Sequence, residues 1–273
     1  MKFMRALLTV TPLLVVASGF WHPGCGDVVA PPPPPQLVIT KSLSLGATLS
    51  HRANGIAAHG DRLWIPDISD AAKQAEVYAF DMATGEPQAS YSQSHFRAFV
   101  SNVLGVAVDP NREWLWGNVY PGGLLYAVDI DLNSATYLEE VNQLQTRLRW
   151  VHDLAWYDGN LYAAECDGST HLIHRVDPAS GESTASFTTP ANARCVVGIT
   201  FDEVGHLWVT EGSDGRLYQV DLDQAVLSGS ASGEAIISWW ELPGIGAGRL
   251  AWHGGQFWTT QDDATEVYVL GFE

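Results

Sequence analysis

Five segments of the chain share one pattern of apolar and polar positions. Each segment begins with a short apolar strand, passes through a polar turn and continues into a second strand centred on an aromatic residue. The segments are residues 55–64, 105–116, 153–162, 198–208 and 248–258. Their aromatic residues, which recur every 46–52 residues, are Trp64, Trp116, Tyr162, Trp208 and Trp258. A repeat at this spacing is typical of a propeller.

Two further predicted strands complete each repeat. Asp81 and Asp177 end the third strand of their repeats with an Asx-type turn, and Gly85 and Gly181 supply the positive φ that the following hairpin needs. Fourth strands are predicted at residues 88–93, 183–188 and 235–242. Four antiparallel strands within one repeat of this length match the size of a propeller blade.

The fifth repeat lacks its fourth strand because the chain stops at Glu273. Residues 37–45 form an alternating segment before the first repeat, and they can supply the missing strand. Pairing the two ends closes the ring and covers two strand edges that would otherwise promote aggregation. We therefore predict an all-β fold over residues 37–273: a five-bladed β-propeller closed by the N-terminal strand. A sixth blade would need a repeat that the sequence does not contain.

The first 24 residues are predicted to be a signal peptide. Lys2 and Arg5 precede an apolar run over residues 6–21, which is short for a membrane span and suits a secretory leader. Two routes of processing remain open. A signal peptidase can cut after small residues, or Cys25, preceded by Gly24, can be lipidated as in bacterial lipoproteins.

Residues 25–36 form a proline-rich linker with five consecutive prolines, a stiff spacer between a membrane or cleavage site and the propeller. Export is therefore expected, and the destination is the periplasm, the outer membrane as a lipoprotein, or the medium.

The composition and net charge of the chain restrict the classes of partner that it can bind. The chain is 46% hydrophobic and 16% charged, which suits a folded domain and excludes a disordered or coiled-coil protein. The 31 acidic residues outnumber the 14 basic ones and give a net charge of −17. Nucleic acid is therefore excluded as a partner, and a membrane contact is expected only through a lipid anchor. We expect a monomer that binds a small molecule, a peptide or an envelope protein.

Three propeller families resemble parts of the sequence. Residues 198–201 and 206–211, which read GITF and HLWVTE, resemble the repeat of virginiamycin B lyases, and residues 54–57, NGIA, resemble the NGLA of gluconolactonase-type proteins. The blade count is similar to that of glutamine cyclotransferases, exported propellers that form pyroglutamate. The motif ELEW of that family corresponds only to HDLAW at residues 152–156, and its YES is replaced by WIPD at residues 64–67. The resemblance implies a propeller fold and says little about the reaction.

Propeller geometry predicts where a site would form. The starts of the innermost strands and the ends of the second strands lie on one face, around the central channel. The residues that the repeat register places there are Asn54, Asp67, Asn118, His152, Glu165, Glu211 and Gln261, with Asp262 and Asp263 directly after the last of them.

Carboxylates gathered at one mouth repel each other, which raises their pKa values unless a cation or hydrogen bonds compensate. We therefore predict a divalent cation, Ca²⁺ or Mg²⁺, which prefers oxygen ligands. The predicted ligands are Asn54, Asp67, Glu165 and Glu211. In the alternative interpretation, these carboxylates accept hydrogen bonds from neighbouring backbone N–H groups or face solvent.

Catalytic roles follow from this site. His152 is the predicted general acid or base, with Glu165 and Glu211 as the catalytic carboxylates beside a metal acting as a Lewis acid. The predicted substrate contacts are Asn118, Gln261, Asp262 and Asp263.

Cys166 and Cys195 fall on the same face of adjacent blades. In an exported protein this placement predicts a disulfide. A nucleophilic thiol is the weaker alternative, because an acidic neighbourhood disfavours the thiolate.

Two functions remain open. The first is an exported cell-envelope propeller that binds a small molecule, a peptide or a protein at the channel mouth, and the absence of HExxH, GxSxG or phosphate-binding motifs favours it. The alternative is a metal-assisted enzyme that acts as a lactonase, a lyase or a glutamine cyclotransferase, and the carboxylates with His152 favour that interpretation.

Overall fold

Five four-stranded antiparallel sheets make up nearly all of the secondary structure in the computed structural model. The structure describes residues 35–45, 53–69, 74–92, 103–168, 171–190, 195–212, 215–261 and 265–273. The predicted signal peptide, Cys25, most of the proline-rich linker, Asp262 and Asp263 lie outside the described residues.

Each sheet is one blade, built in chain order from the channel outwards. Blade 1 contains β2 (Ala57–His59), β3 (Arg62–Ser69), β4 (Gln74–Asp81) and β5 (Pro87–Ser92). Blade 2 contains β6 (Val106–Asp109), β7 (Trp114–Asn118), β8 (Leu124–Asp129) and β9 (Glu140–Gln145). Blade 3 contains β10 (Val151–Tyr157), β11 (Asn160–Cys166), β12 (His171–Val176) and β13 (Ser183–Thr188).

The last two blades follow the same plan with one change. Blade 4 contains β14 (Val196–Phe201), β15 (Leu207–Glu211), β16 (Arg216–Val220) and β17 (Ile236–Glu241). Blade 5 contains β18 (Arg249–His253), β19 (Gln256–Thr260), β20 (Glu266–Phe272) and the N-terminal strand β1 (Leu37–Ser44).

The two ends of the chain pair in blade 5, as the sequence predicts. Strands β1 and β20 are antiparallel, from the Leu37–Phe272 pair to the Ser44–Glu266 pair. Gln36 and Glu273 extend the pairing with two backbone hydrogen bonds of 2.9 Å. The predicted five-bladed propeller and its closure are confirmed.

Every blade packs against the next through the aromatic residue of its second strand. Five apolar clusters fill the five junctions between blades, and each contains the aromatic residue of one blade together with residues of the following blade. These aromatic residues, all buried, are Trp64, Trp116, Tyr162, Trp208 and Trp258. Burial of one such side chain stabilises the fold by about 1.5–3 kcal/mol, so the repeated aromatic position holds the ring together.

The predicted Asx turns also connect neighbouring blades. Asp81 accepts hydrogen bonds from the backbone N–H groups of Ala83 and Thr84, and these bonds lower the pKa of its carboxyl. Gly85 follows with φ of +77°, and a Cβ there would lie 2.8 Å from the Ser44 carbonyl oxygen in blade 5. The turn therefore needs glycine both for its backbone conformation and for its close approach to the next sheet.

A short helix in blade 4 is absent from the sequence prediction. Helix α1 (Leu222–Ser228) connects β16 to β17, begins after Asp221, whose side chain accepts from the Gln224 N–H, and ends at Gly229 with φ of +71°. Seven residues are too few to show a helical period. No helix among the described residues has the length and apolar character of a membrane span.

Glycines hold the innermost strands close together. A Cβ on Gly198 would lie 2.5 Å from the Gly248 carbonyl oxygen and 2.6 Å from Thr210 Oγ1, whereas a Cβ on Gly246 would meet no atom within 4 Å. We expect Gly198→Ala to lower the free energy of unfolding by about 1–3 kcal/mol or more, because the added methyl overpacks the junction of blades 4 and 5. Chemical denaturation measures the change. Gly246→Ala is the matched control and should stay within about 0.5 kcal/mol; equal effects would contradict the close packing.

Candidate functional site

The innermost strand of each blade pairs on one side only, so its other edge faces the central channel. Such an edge presents alternating N–H and C=O groups that need partners. Near the start of the innermost strands, buried side chains bridge these edges. We call this set the polar girdle, and its members are Asn118, Asp153, Thr210 and Arg249.

Asn118 joins blades 2 and 3. Its Oδ1 accepts from the Gly105 N–H at 2.7 Å, and its Nδ2 donates to the Val151 carbonyl at 2.7 Å. The side chain is fully buried. Both halves of the amide therefore bind innermost strands. Asn118 has this structural role in addition to the substrate contact that the sequence predicts.

Asp153 and Arg249 reach the edge of β14 from the blades on either side. Asp153 Oδ2 accepts from the Ile199 N–H at 2.8 Å, and Arg249 Nη1 donates to the Val197 carbonyl at 2.5 Å. Thr210 in blade 4 donates in turn to the Gly248 carbonyl at 2.6 Å. A carboxyl and a guanidinium thus satisfy two neighbouring groups on one strand edge.

The charges of this pair are unequal at neutral pH. Burial raises the pKa of Asp153 to about 8, although the Arg249 guanidinium and the Ile199 N–H act in the opposite direction. Asp153 Oδ1, Arg249 Nε and Thr260 Oγ1 are buried without a hydrogen-bond partner among the described residues, and Thr260 is the cross-strand neighbour of Arg249. The girdle therefore combines a carboxyl that holds its proton with a positive guanidinium.

Sequence reasoning missed both charged members of the girdle. Asp153 and Arg249 lie two residues before the position opposite the blade's aromatic residue, where the other three blades have Gly55, Gly105 and Gly198. A charged residue in place of a repeated glycine was the signal that could have found them.

Glu165 is bound within blade 3, between strand β12 and the loop that leads into the blade. Its Oε1 accepts from the Arg149 N–H at 2.7 Å, and its Oε2 is 3.1 Å from His174 Nε2. Burial lowers the pKa of His174, and Glu165 opposes that shift. The geometry of Glu165 thus matches the interpretation in which a carboxylate accepts from a backbone N–H.

The other predicted oxygen ligands lie at two blades, with Asn54 and Asp67 together at blade 1 and Glu211 at blade 4. Asn54 donates its backbone N–H to the Pro66 carbonyl at 3.2 Å, and Asp67 is buried opposite Glu76 in blade 1. Glu211 is 1% exposed at the end of β15, and Gln261 is half-buried directly after β19. Asp262 and Asp263 lie outside the described residues. The Ca²⁺ or Mg²⁺ site therefore stays a prediction.

Two β-bulges set the direction of these side chains. The pairing shifts by one residue between Val151 and Asp153, and again between Val196 and Gly198. Each bulge lies opposite a predicted site carboxylate, since Val151 pairs with Glu165 and Val196 pairs with Glu211. A one-residue slip reverses the face that a strand residue presents, and the repeat register of the sequence cannot show it.

His152 lies at the first bulge and is half-buried. Its ring is 5.4 Å from that of Tyr120, which in turn is 5.5 Å from the exposed Trp150. Beside it, Cys166 and Cys195 form the predicted disulfide, with Cα atoms 5.7 Å apart. The disulfide is confirmed, and it joins blade 3 to the entry of blade 4.

A cavity of about 250 Å³ occupies the other half of the channel. It is lined by residues from the innermost strands of all five blades, and it begins just past the girdle, since Leu154 and Leu250 follow Asp153 and Arg249. Half-buried residues at the strand ends form its rim, and these are His59, Trp156, Trp252 and His253. Among the described lining residues none is Lys, Arg, Asp or Glu.

No protein-family model and no curated protein matches the sequence. Solved structures do match the fold. A glutaminyl cyclase from Myxococcus xanthus superposes with a TM-score of 0.65 at 9% identity, covering 88% of this chain and 97% of that chain. The PQQ-bound aldose sugar dehydrogenase from Streptomyces coelicolor superposes with a TM-score of 0.52 at 13% identity, covering 89% of this chain and 100% of that chain. Virginiamycin B lyase from Staphylococcus aureus superposes with a TM-score of 0.50 at 13% identity, covering 86% of this chain and 99% of that chain.

These likenesses show the fold alone, because sequence identities of 9–13% carry no activity with them. The resemblance of the repeats to lyase and cyclotransferase propellers is confirmed at the level of architecture.

Stability should depend on pH through Asp153. The folded protein keeps this carboxyl protonated up to about pH 8, whereas the unfolded chain loses the proton near pH 4. The free energy of unfolding should therefore fall as pH rises from about 4 to about 8, by at most about 1.4 kcal/mol per pH unit.

Asp153→Asn removes this titration while its amide oxygen can still accept from Ile199. Chemical denaturation between pH 5 and pH 8 should show the variant gaining stability relative to the wild type as pH rises. A difference that does not change with pH would contradict the protonated state of Asp153.

Proposed function

We propose that the protein is a binding propeller and that its central cavity takes a small neutral or cationic molecule or the end of a peptide. The observation that carries this proposal is the cavity of about 250 Å³ lined by all five innermost strands. Ligand sites in proteins are concave and largely preformed, with apolar walls and a few polar groups that orient the ligand.

The walls of the cavity combine two kinds of surface. Most lining side chains are small or apolar, such as Ala58, Val108 and Leu250. The edges of the five innermost strands add main-chain N–H and C=O groups along the same walls. A ligand with an amide or hydroxyl groups on a compact apolar frame would use both.

Charge and size restrict the ligand further. The absence of Lys and Arg from the described lining, in a chain of net charge −17, disfavours an anion. Ordinary ligand pockets measure about 300–1,000 Å³, so this cavity suits one amino-acid residue or a molecule of similar size. The girdle lies at the inner end of the cavity, so we expect the ligand to enter past the rim residues Trp156 and Trp252.

We infer that this propeller acts outside the cytoplasm. Residues 1–24 support export as a signal peptide, and residues 25–36 would then tether the propeller through a lipidated Cys25 or form a free N-terminal arm. The periplasm, the outer membrane and the medium all remain compatible with this inference, and the ligand would be an envelope or extracellular compound.

Filling the cavity with a larger side chain should weaken ligand binding. Ala58 is half-buried in its wall, whereas Ala179 is exposed in a turn. The probes are amino-acid amides, glutaminyl dipeptides and monosaccharides, and binding is measured by the rise in melting midpoint that ligation of the folded state produces. We expect Ala58→Phe to weaken the best probe by at least about tenfold, a loss of about 1.4 kcal/mol.

Ala179→Phe is the matched control and should bind as the wild type does. If no probe raises the wild-type midpoint, or if Ala58→Phe binds equally well, the cavity is not the ligand site.

Glutamine cyclisation is the second candidate. It is favoured by the likeness to a glutaminyl cyclase over 88% of the chain and by His152, which the repeat register predicts at the channel face and which directly precedes the protonated Asp153. His152 would move the proton of the terminal amine during ring closure. We expect release of ammonia and pyroglutamyl peptide from a Gln-terminal peptide, reduced at least about a hundredfold in His152→Ala.

The assay includes Ca²⁺, Mg²⁺ and EDTA, so that a requirement for the predicted cation appears as a loss of activity with EDTA. His206→Ala is the control, because it removes a half-buried histidine of blade 4 that does not line the cavity. No pyroglutamate from the wild type under any of these conditions would exclude the cyclase function and leave the binding function intact.

A further inference from the structure

Three side chains at the start of the innermost strands carry metal-binding atoms close together. His152 is the second residue of β10, the innermost strand of blade 3, and Cys166 is the last residue of β11 in the same blade. Cys195 directly precedes β14, the innermost strand of blade 4. One ligand atom from each lies within 4.8 Å of the others. Among the described residues, no other three His, Cys, Asp or Glu side chains place their ligand atoms this close together.

Oxidation state decides whether these atoms can bind a metal. In the disulfide the two sulfurs carry no negative charge, and the ligand that metals bind is the thiolate. Reduction by a dithiol or a phosphine adds two electrons and two protons to the disulfide and gives two thiols. A divalent cation can then displace the two thiol protons and bind both sulfurs together with the neutral imidazole.

The distances suit a borderline-soft cation. Zn–S bonds of about 2.3 Å and Zn–N bonds of about 2.0–2.1 Å place neighbouring tetrahedral ligands about 3.5–3.8 Å apart. After reduction, the distance between the two sulfurs must therefore increase by less than about 2 Å to fit the metal. The Cα atoms of the two cysteines are 5.7 Å apart, which allows this by side-chain rotation.

Main-chain bonds hold both cysteines in place without the disulfide. The Cys166 N–H donates to the Trp150 carbonyl at 3.0 Å, and the Gly212 N–H donates to the Cys195 carbonyl at 3.1 Å. The ring of His152 packs in a T-shaped arrangement with that of Tyr120, and the ring centroids are 5.4 Å apart. The three ligands should therefore remain together after reduction.

We propose that reduction of the Cys166–Cys195 disulfide turns this group into a site for Zn²⁺ or a cation of similar softness, bound by His152, Cys166 and Cys195. Three protein ligands leave the fourth tetrahedral position to water or to another ligand. Neither the carboxylates of the predicted calcium site nor the ligand of the central cavity takes part, so this proposal is independent of the proposed binding function and shares only His152 with the cyclase candidate.

Zinc binding to the full-length protein tests the proposal. The protein is reduced with a phosphine, freed of reductant without air, and titrated with Zn²⁺ against a chromophoric chelator; Co²⁺ in a parallel sample reports thiolate ligation by its charge-transfer absorption. The reduced wild type should bind one Zn²⁺ more than the oxidised wild type. Loss of a group that merely supports a metal ligand costs about 10–100-fold in affinity, so His152→Ala should cost at least about tenfold.

His253→Ala is the matched control, because it removes a half-buried histidine at the far end of the channel. It should bind Zn²⁺ as the reduced wild type does. Equal zinc binding by oxidised and reduced wild type, or no effect of His152→Ala, would overturn the proposal. If reduction unfolds the chain, Zn²⁺ should restore the near-UV circular dichroism of the wild type and not of His152→Ala; failure to restore it also overturns the proposal.

Discussion

Five innermost strands surround one channel. The backbone N–H and C=O groups on the channel-facing edge of each strand need hydrogen-bond partners. A buried backbone N–H or C=O without a partner costs about 1–3 kcal/mol, so the ring is stable only where something pairs with these edges. In one half of the channel, side chains supply the partners, through Asn118, Asp153 and Arg249. In the other half the edges border a cavity. The two halves of the channel therefore differ, because polar side chains bridge the strand edges in one and a cavity borders them in the other.

This constraint also explains where charge is buried. A glycine at the start of an innermost strand allows close approach of the next blade, as at Gly105 and Gly198. Blades 3 and 5 have Asp153 and Arg249 instead, and both side chains end on β14. Burial keeps the carboxyl protonated at neutral pH, so a positive guanidinium remains in the centre of an acidic protein. Replacing a buried polar pair with apolar residues is often tolerated, which makes its presence here informative about the channel.

The candidate site shows how far repeat counting reaches. It placed His152, Cys166 and Cys195 on one face of adjacent blades, and the structure brings their ligand atoms together. The repeat register also predicts Glu165 and Glu211 at the same mouth, but Glu165 bonds to Arg149 in the loop entering blade 3 and to His174 in β12. The bulges opposite the two glutamates shift the register by one residue, and side-chain direction at a strand end depends on that shift.

The sequence by itself determined the number of blades, the strand that closes the ring and the disulfide, because these follow from a repeated local pattern and from residues at equivalent positions. Alternation and turn chemistry act over a few residues and can be read along the chain. Tertiary structure alone decided which polar groups meet in the channel, which half of it borders a cavity, and which backbone groups the two charged residues at glycine positions bind. Those outcomes depend on contacts between strands about 46–52 residues apart, where a single bulge changes the partner of every side chain that follows.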